Sequence, residues 1–260
     1  MIDIGANLTN RAFAGDLDAV LERAWASGVE RIVVTGTDVD TSERAIALCA
    51  HDPSRLFCTV GVHPHDAAHM REDWLGALER LSRNACVRAI GECGLDFNRN
   101  YSPHDAQRRV FDAQLALAGR LGLPVFVHER DAGAVVAEHL ARHRATLHDA
   151  IVHCFTGDAA TLQNYLDLDC HIGITGWICD ERRGLELAAI APRIPDDRLL
   201  IETDAPFLLP RTLAPRPANR RNEPAYLIWV ARRLAEVRRQ TVEHVCAVTA
   251  ANARRVFAID

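Results

Sequence analysis

Seven residues of types that bind metals or move protons stand at or just beyond the ends of short apolar runs: Asn7, His63, His65, Glu92, His128, His153 and Asp204. Glu92 is the most exacting of them. It follows the run Val87-Arg88-Ala89-Ile90 and lies in GECGLDF, with Gly91 before it and Gly94 two residues after. A carboxylate delivered by a buried strand needs a partner. An ion pair with Arg99 would supply one, but it leaves His128 and His153 without a purpose. A shared divalent cation accounts for all three. Carboxylate oxygen with imidazole nitrogen suits Zn²⁺, Mn²⁺ or Fe²⁺, and Mg²⁺ less well. Three or four such ligands leave a position open for water, whose pKa the ion lowers toward neutrality. Asp204, in IETDAPFLLP, is then placed to accept and return the proton. Glu202, two residues earlier, faces the same way one layer deeper.

Other residues fit around that core. His63 and His65 alternate in GVHPHD and either donate hydrogen bonds to a phosphate oxygen or brace their loop. Asn7 offers an amide to the same substrate. Arg216, Arg220 and Arg221, in RPANRR, have the forked donors that clamp phosphate bidentately. Trp177 either stacks on a base or packs. Cys93 and Cys154 adjoin Glu92 and His153, which raises a cysteine nucleophile, but strand alternation would turn both toward the helices. No G-x-S-x-G motif is present. His51, His69, His139, His143, His148 and His244 read as surface residues, and the pairs Arg232-Arg233, Arg238-Arg239 and Arg254-Arg255 as solvated helix faces.

The elements that position these residues follow from periodicity. Eight short runs rich in β-branched residues recur at Ile2–Ile4, Arg31–Thr35, Phe57–Val62, Val87–Gly91, Pro124–His128, Ala150–Cys154, Cys170–Ile174 and Arg198–Thr203. Helical patterning covers Phe13–Gly28, Thr41–His51, Ser102–Leu121, Arg130–Arg144, Asp158–Leu168 and Glu181–Ala191 between them, then Glu223–Val237 and Thr241–Phe257 after the proline-rich stretch Pro206–Pro224. Alternating strands and helices imply right-handed βαβ units and a parallel sheet. Eight units in 260 residues fit one (β/α)8 TIM-barrel domain over residues 1–260, in which strand-end side chains converge on one face. An open doubly wound sheet is the competing architecture.

Composition narrows the class. With 48% hydrophobic residues the chain fills a large core, and a formal charge of −5 argues against a surface that attracts nucleic acid everywhere. Eight cysteines scattered without a CxxC pair read as buried free thiols. No signal-type N-terminus or apolar stretch of spanning length is seen, so a cytoplasmic protein without membrane attachment is expected. We also expect a monomer.

The motifs DIGANLT, TVGVHPHD, IGECGLDF, PVFVHERD, VHCFTG, IGITGWICDERRG, ETDAPFLLPR and RRNEPA together resemble the TatD family of metal-dependent deoxyribonucleases, from residue 2 to the final helix. The resemblance implies a TIM barrel of the amidohydrolase superfamily. It implies a Mg²⁺-dependent 3′→5′ exonuclease acting on single-stranded DNA and RNA, linked to repair of oxidative DNA damage. Carried over by motif, Glu92, His128 and His153 match the metal ligands, and Asp204 matches the catalytic aspartate of the eighth strand, also a ligand in many relatives. The chain departs from the family at its start, where Asp-x-His-x-His is usual and Asp3 is here followed by Gly5 and Asn7. One firm ion on Glu92, His128 and His153 is therefore expected, with any second ion weak or brought by substrate phosphate. Mg²⁺ is expected from abundance, with Mn²⁺ or Zn²⁺ suiting the histidines better.

Three functions are compatible with these residues. The first is the exonuclease. The second is an amidohydrolase acting on a small amide, ester or lactone with the same ligand set. The third is a barrel that has lost catalysis with its strand-1 histidines and serves as a binding partner.

Overall fold

A computed structural model describes residues 1–260. Eight strands form one sheet in chain order: β1 (Ile2–Ala6), β2 (Arg31–Val34), β3 (Leu56–Val60), β4 (Val87–Asp96), β5 (Val125–Arg130), β6 (Ala150–Val152), β7 (His171–Ile174) and β8 (Leu199–Ile201). All the pairings are parallel. The connecting helices are α1 (Leu17–Ala26), α2 (Val39–Cys49), α3 (Trp74–Leu81), α4 (His104–Leu121), α5 (Gly133–His143), α6 (Ala159–Asp167) and α7 (Leu185–Ile190), followed by α8 (Leu227–Arg238) and α9 (Val242–Phe257). This is the (β/α)8 barrel expected from the alternation. The strand–helix joints are built by local chemistry: Asp38 Oδ1 accepts from Thr41 N (2.6 Å) and Thr41 Oγ1 accepts from Asp38 N (2.8 Å), a reciprocal cap that starts α2.

Closure of the barrel depends on side chains as well as backbone. Ala6 pairs with Ala205 in a parallel bridge, and Asp204 N donates to Gly5 O (2.8 Å). β8 is short, and the buried carboxylate of Asp3 takes over where its ladder ends, accepting from Thr203 N (2.9 Å) and Thr203 Oγ1 (2.5 Å). Asp3 thereby fixes the residue between Glu202 and Asp204, so both of those carboxylates are held facing the barrel axis.

Alternation divides the apolar residues into two cores. Ile32, Val34, Val125, Val127, Ile172, Leu199 and Ile201 join the layer under the helices, while Val33, Phe126, Ile151 and Leu200 fill the barrel interior. The interior is plugged from below by Ala253, Val256 and Phe257 of α9. His128 shares parity with Phe126, His153 with Ile151, and Glu202 with Leu200, so each polar residue sits one layer above an apolar one.

Two expectations need correction, and a third holds with an addition. His139 is buried rather than at the surface, because its Nδ1 bonds Asp112 Oδ1 (2.7 Å) beneath α5. Arg238 is not a solvated charge: its guanidinium donates to Ala191 O and Ile194 O (both 2.7 Å) and pairs with Asp196. The cysteines are all free, but Cys49, Cys58 and Cys86 are gathered into one cluster by the fold.

Candidate active site

The register of β4 shifts between Gly91 and Cys93. Without that irregularity Glu92 would share the face of Ile90, which packs under the helices. The extra residue reverses parity: Cys93 joins the outer layer and Glu92 turns inward. The glycines of GECG are required for this. Gly91 (φ 148°) and Gly94 (φ 139°) adopt conformations that side-chain-bearing residues rarely take, and a Cβ at either would collide with the β5 backbone at Phe126 or His128.

Turned inward, Glu92 meets imidazoles from three strands. Its Oε1 lies 2.8 Å from His153 Nε2, 3.0 Å from His128 Nδ1 and 3.3 Å from His63 Nε2. Burial raises the Glu92 carboxyl, but the histidines outweigh it and hold the group well below the usual carboxylate range. His153 is driven the other way, above the ordinary histidine value, because Glu92 and Glu202 overcome the cost of its burial. His63 is pushed down to about 4, mainly by burial.

Asp204 closes the far side. Asn7 Nδ2 donates to its Oδ1 (2.9 Å), and burial pushes its carboxyl up to about 7, against the pull of His153 and with Glu92 and Glu202 adding to the rise. Below it, Glu202 is wholly buried; Cys154 N donates to its Oε1, and its Oε2 stands 3.3 Å from His153 Nδ1. A Cβ on Gly5 would collide with Glu202 Oε2, and one on Gly173 would crowd Oε1 to 2.7 Å. The glycine of the first strand thus gives its space to the Glu202 carboxylate, and Asn7 spends its amide on Asp204.

These residues fit a divalent cation. Glu92, Glu202 and Asp204 bring carboxyl groups, and His63, His128 and His153 imidazoles, to one place. The Nε2 of His128 is buried without a hydrogen bond, 3.5 Å from Asp96 Oδ2. With only the Asp96 carboxylate near it, at a distance longer than a hydrogen bond needs, this nitrogen has room to take a ligand. His63, Glu92 and His128 form a group whose ligand atoms all lie within 4.8 Å of one another, close enough to hold one ion together.

The site opens into a cavity of about 480 Å³ lined by Asn7, His63, His65, Glu92, His128, His153 and Asp204 together. The arginine clamp is not among its walls. Arg216 is exposed and donates to Arg211 O (2.7 Å), Arg220 is exposed, and Arg221 is held against α1 by Asp16 and Glu223 (2.7 Å each). Proline-rich sequence carries that loop away from the axis, and the acidic partners satisfy Arg221 there. The cationic walls are instead Arg99 and Arg130, with Arg130 5.4 Å from the centre of the Trp177 ring at the rim.

Asp96 is a further residue that strand-end reasoning passed over. It accepts from His65 Nε2 (2.6 Å) and from the backbone of Asn98 and Arg99; despite burial, the neighbouring His128 first, then His65 and Arg99 N, keep its carboxyl well below the ordinary range. Its signal in the sequence was the apolar continuation Cys93–Leu95 between two acids, which marks a longer strand than Val87–Gly91. Cys154 also departs from expectation. It lies beyond β6 at φ 46° and lines the cavity, because alternation ends with the strand; burial pushes its thiol up to about 12, which disfavours the thiolate.

Comparison with known proteins agrees with this architecture. Residues 2–258 match the family described as TatD related DNase. A protein of Pectobacterium parmentieri named 3′-5′ ssDNA/RNA exonuclease TatD is 49% identical over 257 residues, covering 99% of both chains. One of the same name from Citrobacter rodentium is 48% identical over 259 residues, covering 100% of this chain and 98% of its own. Among solved structures, the TatD homologue YJJV of Escherichia coli K12 superposes with a TM-score of 0.90 at 30% identity, covering 100% of this chain and 98% of that one. By family match, full-length identity and fold alike, the chain belongs to the TatD-related DNase family.

Proposed function

We propose that the protein is a metal-dependent 3′→5′ exonuclease of single-stranded DNA and RNA, with Mg²⁺ as the working ion and Mn²⁺ or Zn²⁺ as tighter substitutes. The observation that carries this reading is the Glu92 carboxylate enclosed by His63, His128 and His153 at the floor of a cavity whose walls include Arg99 and Arg130. Full-length identity to relatives named for that activity supports it.

Glu92, His128 and His153 would hold the ion, with His63 and Asp204 beside them. When bound, a divalent ion there supplies Lewis-acid activation of the phosphate and of water. The chain's own groups do the rest. Asn7 occupies Asp204 Oδ1, which leaves Oδ2 to take the proton from the attacking water and return it to the leaving oxygen. His65, oriented by Asp96, and Arg99 donate to nonbridging phosphate oxygens, and Trp177 offers a stacking face that does not discriminate between bases. Glu202 fixes His153 from below, so that its Nε2 stays turned toward Glu92, where it would serve as a ligand.

The test is digestion of 3′-labelled and 5′-labelled single-stranded oligonucleotides with Mg²⁺, Mn²⁺ or EDTA, by the wild type and His128→Ala. Release of mononucleotides from the 3′ end, abolished by EDTA and in the variant, is expected. Absence of cleavage with metal bound would instead favour hydrolysis of a small amide, ester or lactone.

A further inference from the structure

Cys49 ends α2, Cys58 lies in the middle of β3, and Cys86 immediately precedes β4, so three separate elements deliver one thiol each to the same point. Their sulfurs lie within 4.8 Å of one another, and Cys58 Sγ is 4.0 Å from Cys86 Sγ. The backbone holds this spacing, since Cys58 N donates to Cys86 O (2.9 Å) across the two strands. Cys49 and Cys58 are buried, whereas Cys86 is half-buried beside the exposed Asn84 and Ala85 and opens the cluster to solvent. It lies at the start of β4, on the outer face of the sheet, whereas Glu92 lies further along the same strand and faces the axis.

From this geometry we infer a second metal site, in which Cys49, Cys58 and Cys86 bind one thiophilic d¹⁰ cation such as Zn²⁺ or Cu⁺. One edge of the sulfur triangle is 4.0 Å and the others are within 4.8 Å, so small side-chain shifts bring all three sulfurs to the zinc–thiolate length of about 2.3 Å from one ion. Three sulfurs and no oxygen ligand select soft ions over Mg²⁺, so the site does not compete for the ion of the barrel mouth. Each thiol that ligates releases its proton to solvent, and no oxidant or reductant is needed. Cys93, Cys170 and Cys246 have no such company and serve as small apolar side chains.

The experiment titrates reduced, EDTA-treated full-length protein with Cd²⁺ and follows the sulfur-to-cadmium charge-transfer absorption. One equivalent per chain is expected in the wild type and in a His63→Ala/His128→Ala variant that lacks two of the barrel-mouth imidazoles. Zn²⁺ should compete. Cys86→Ser should weaken binding at least about 100-fold, while Cys246→Ser leaves it unchanged. A measurement that needs no substitution accompanies it: Cd²⁺ should protect Cys86 of the wild type from iodoacetamide, mapped by peptide mass. The inference is overturned if no charge-transfer band forms or if the band survives in Cys86→Ser. It is also overturned if Cys86 is alkylated equally with and without Cd²⁺, or if the cluster only closes to a Cys58–Cys86 disulfide in air and takes no metal when reduced.

Discussion

The two ends of the barrel use their buried polar groups for different purposes: the mouth gathers them around one carboxylate, the base ties helices to the sheet. At the mouth, His128 Nε2 has no hydrogen bond, Asp204 is pushed up to about 7, and one oxygen of Glu92 is shared by three imidazoles. At the base, Asn252 of α9 donates to Asp196 O (2.7 Å) and Leu199 O (2.9 Å), and Asp196 receives Arg238, Gln240 and His244. The base spends its hydrogen bonds on holding α8 and α9 against the sheet. The mouth draws three imidazoles around the Glu92 carboxylate and leaves His128 Nε2 without a hydrogen bond, an arrangement that suits a metal-dependent hydrolase. Chemistry and stability are thereby assigned to different ends of the same strands.

The sharpest way to break that contrast is Glu92→Gln. Oligonucleotide hydrolysis should fall about 1,000-fold in kcat/KM, on the order of 4 kcal/mol of transition-state stabilisation, while the urea midpoint moves little. A large loss of stability in that variant would mean that Glu92 serves the fold as much as the chemistry. Phe126→Ala probes the layer between the two ends, where the ring is fully buried, 4.6 Å from the centre of the His153 ring and 6.5 Å from that of Phe257. It should cost about 3–5 kcal/mol in urea unfolding and reduce activity as well, since His153 loses its support.

Asn252→Ala addresses the base alone. It should lower stability by about 1–3 kcal/mol and leave kcat/KM unchanged, as measured on the same preparation. The smallest effect concerns pH. Hydrogen bonds from Gln240 and His244, with Arg238 beside them, hold the Asp196 carboxyl down to about 2. The stability it contributes is complete above the ordinary value of 3.8 and is lost as pH falls through about 2. Because Asp196 is partly exposed, the contribution is under about 1 kcal/mol. Thermal unfolding followed between pH 5 and pH 2 should show a steeper decline in the wild type than in Asp196→Asn.

Part of the site was legible because a parallel barrel imposes a simple rule: an apolar run ending in a ligand-type residue delivers that residue to the mouth. His128, His153, Glu202 and Asp204 obey it, and each was readable from its own strand. Residues governed by partners distant in sequence were not. Arg221 looks like a phosphate clamp until Asp16, some 205 positions away, is seen to hold it. His139 looks like a surface histidine until Asp112 is placed beside it. Cys49, Cys58 and Cys86 carry no spacing motif, because their meeting point is set by the pairing of β3 with β4 and the return of α2 along them.

Sequence alone determined the repeating units, their parallel order and the chemical types at the strand ends, since period-2 and helical patterns and the side-chain inventory are local properties. Tertiary structure decided which way Glu92 points, because a register shift in β4 reverses the parity that counting from Ile90 would assign. It also decided what became of the missing strand-1 histidine. The space at Gly5 is filled by Glu202 from the opposite side of the closure, and only the folded barrel brings the first and last strands within reach of each other.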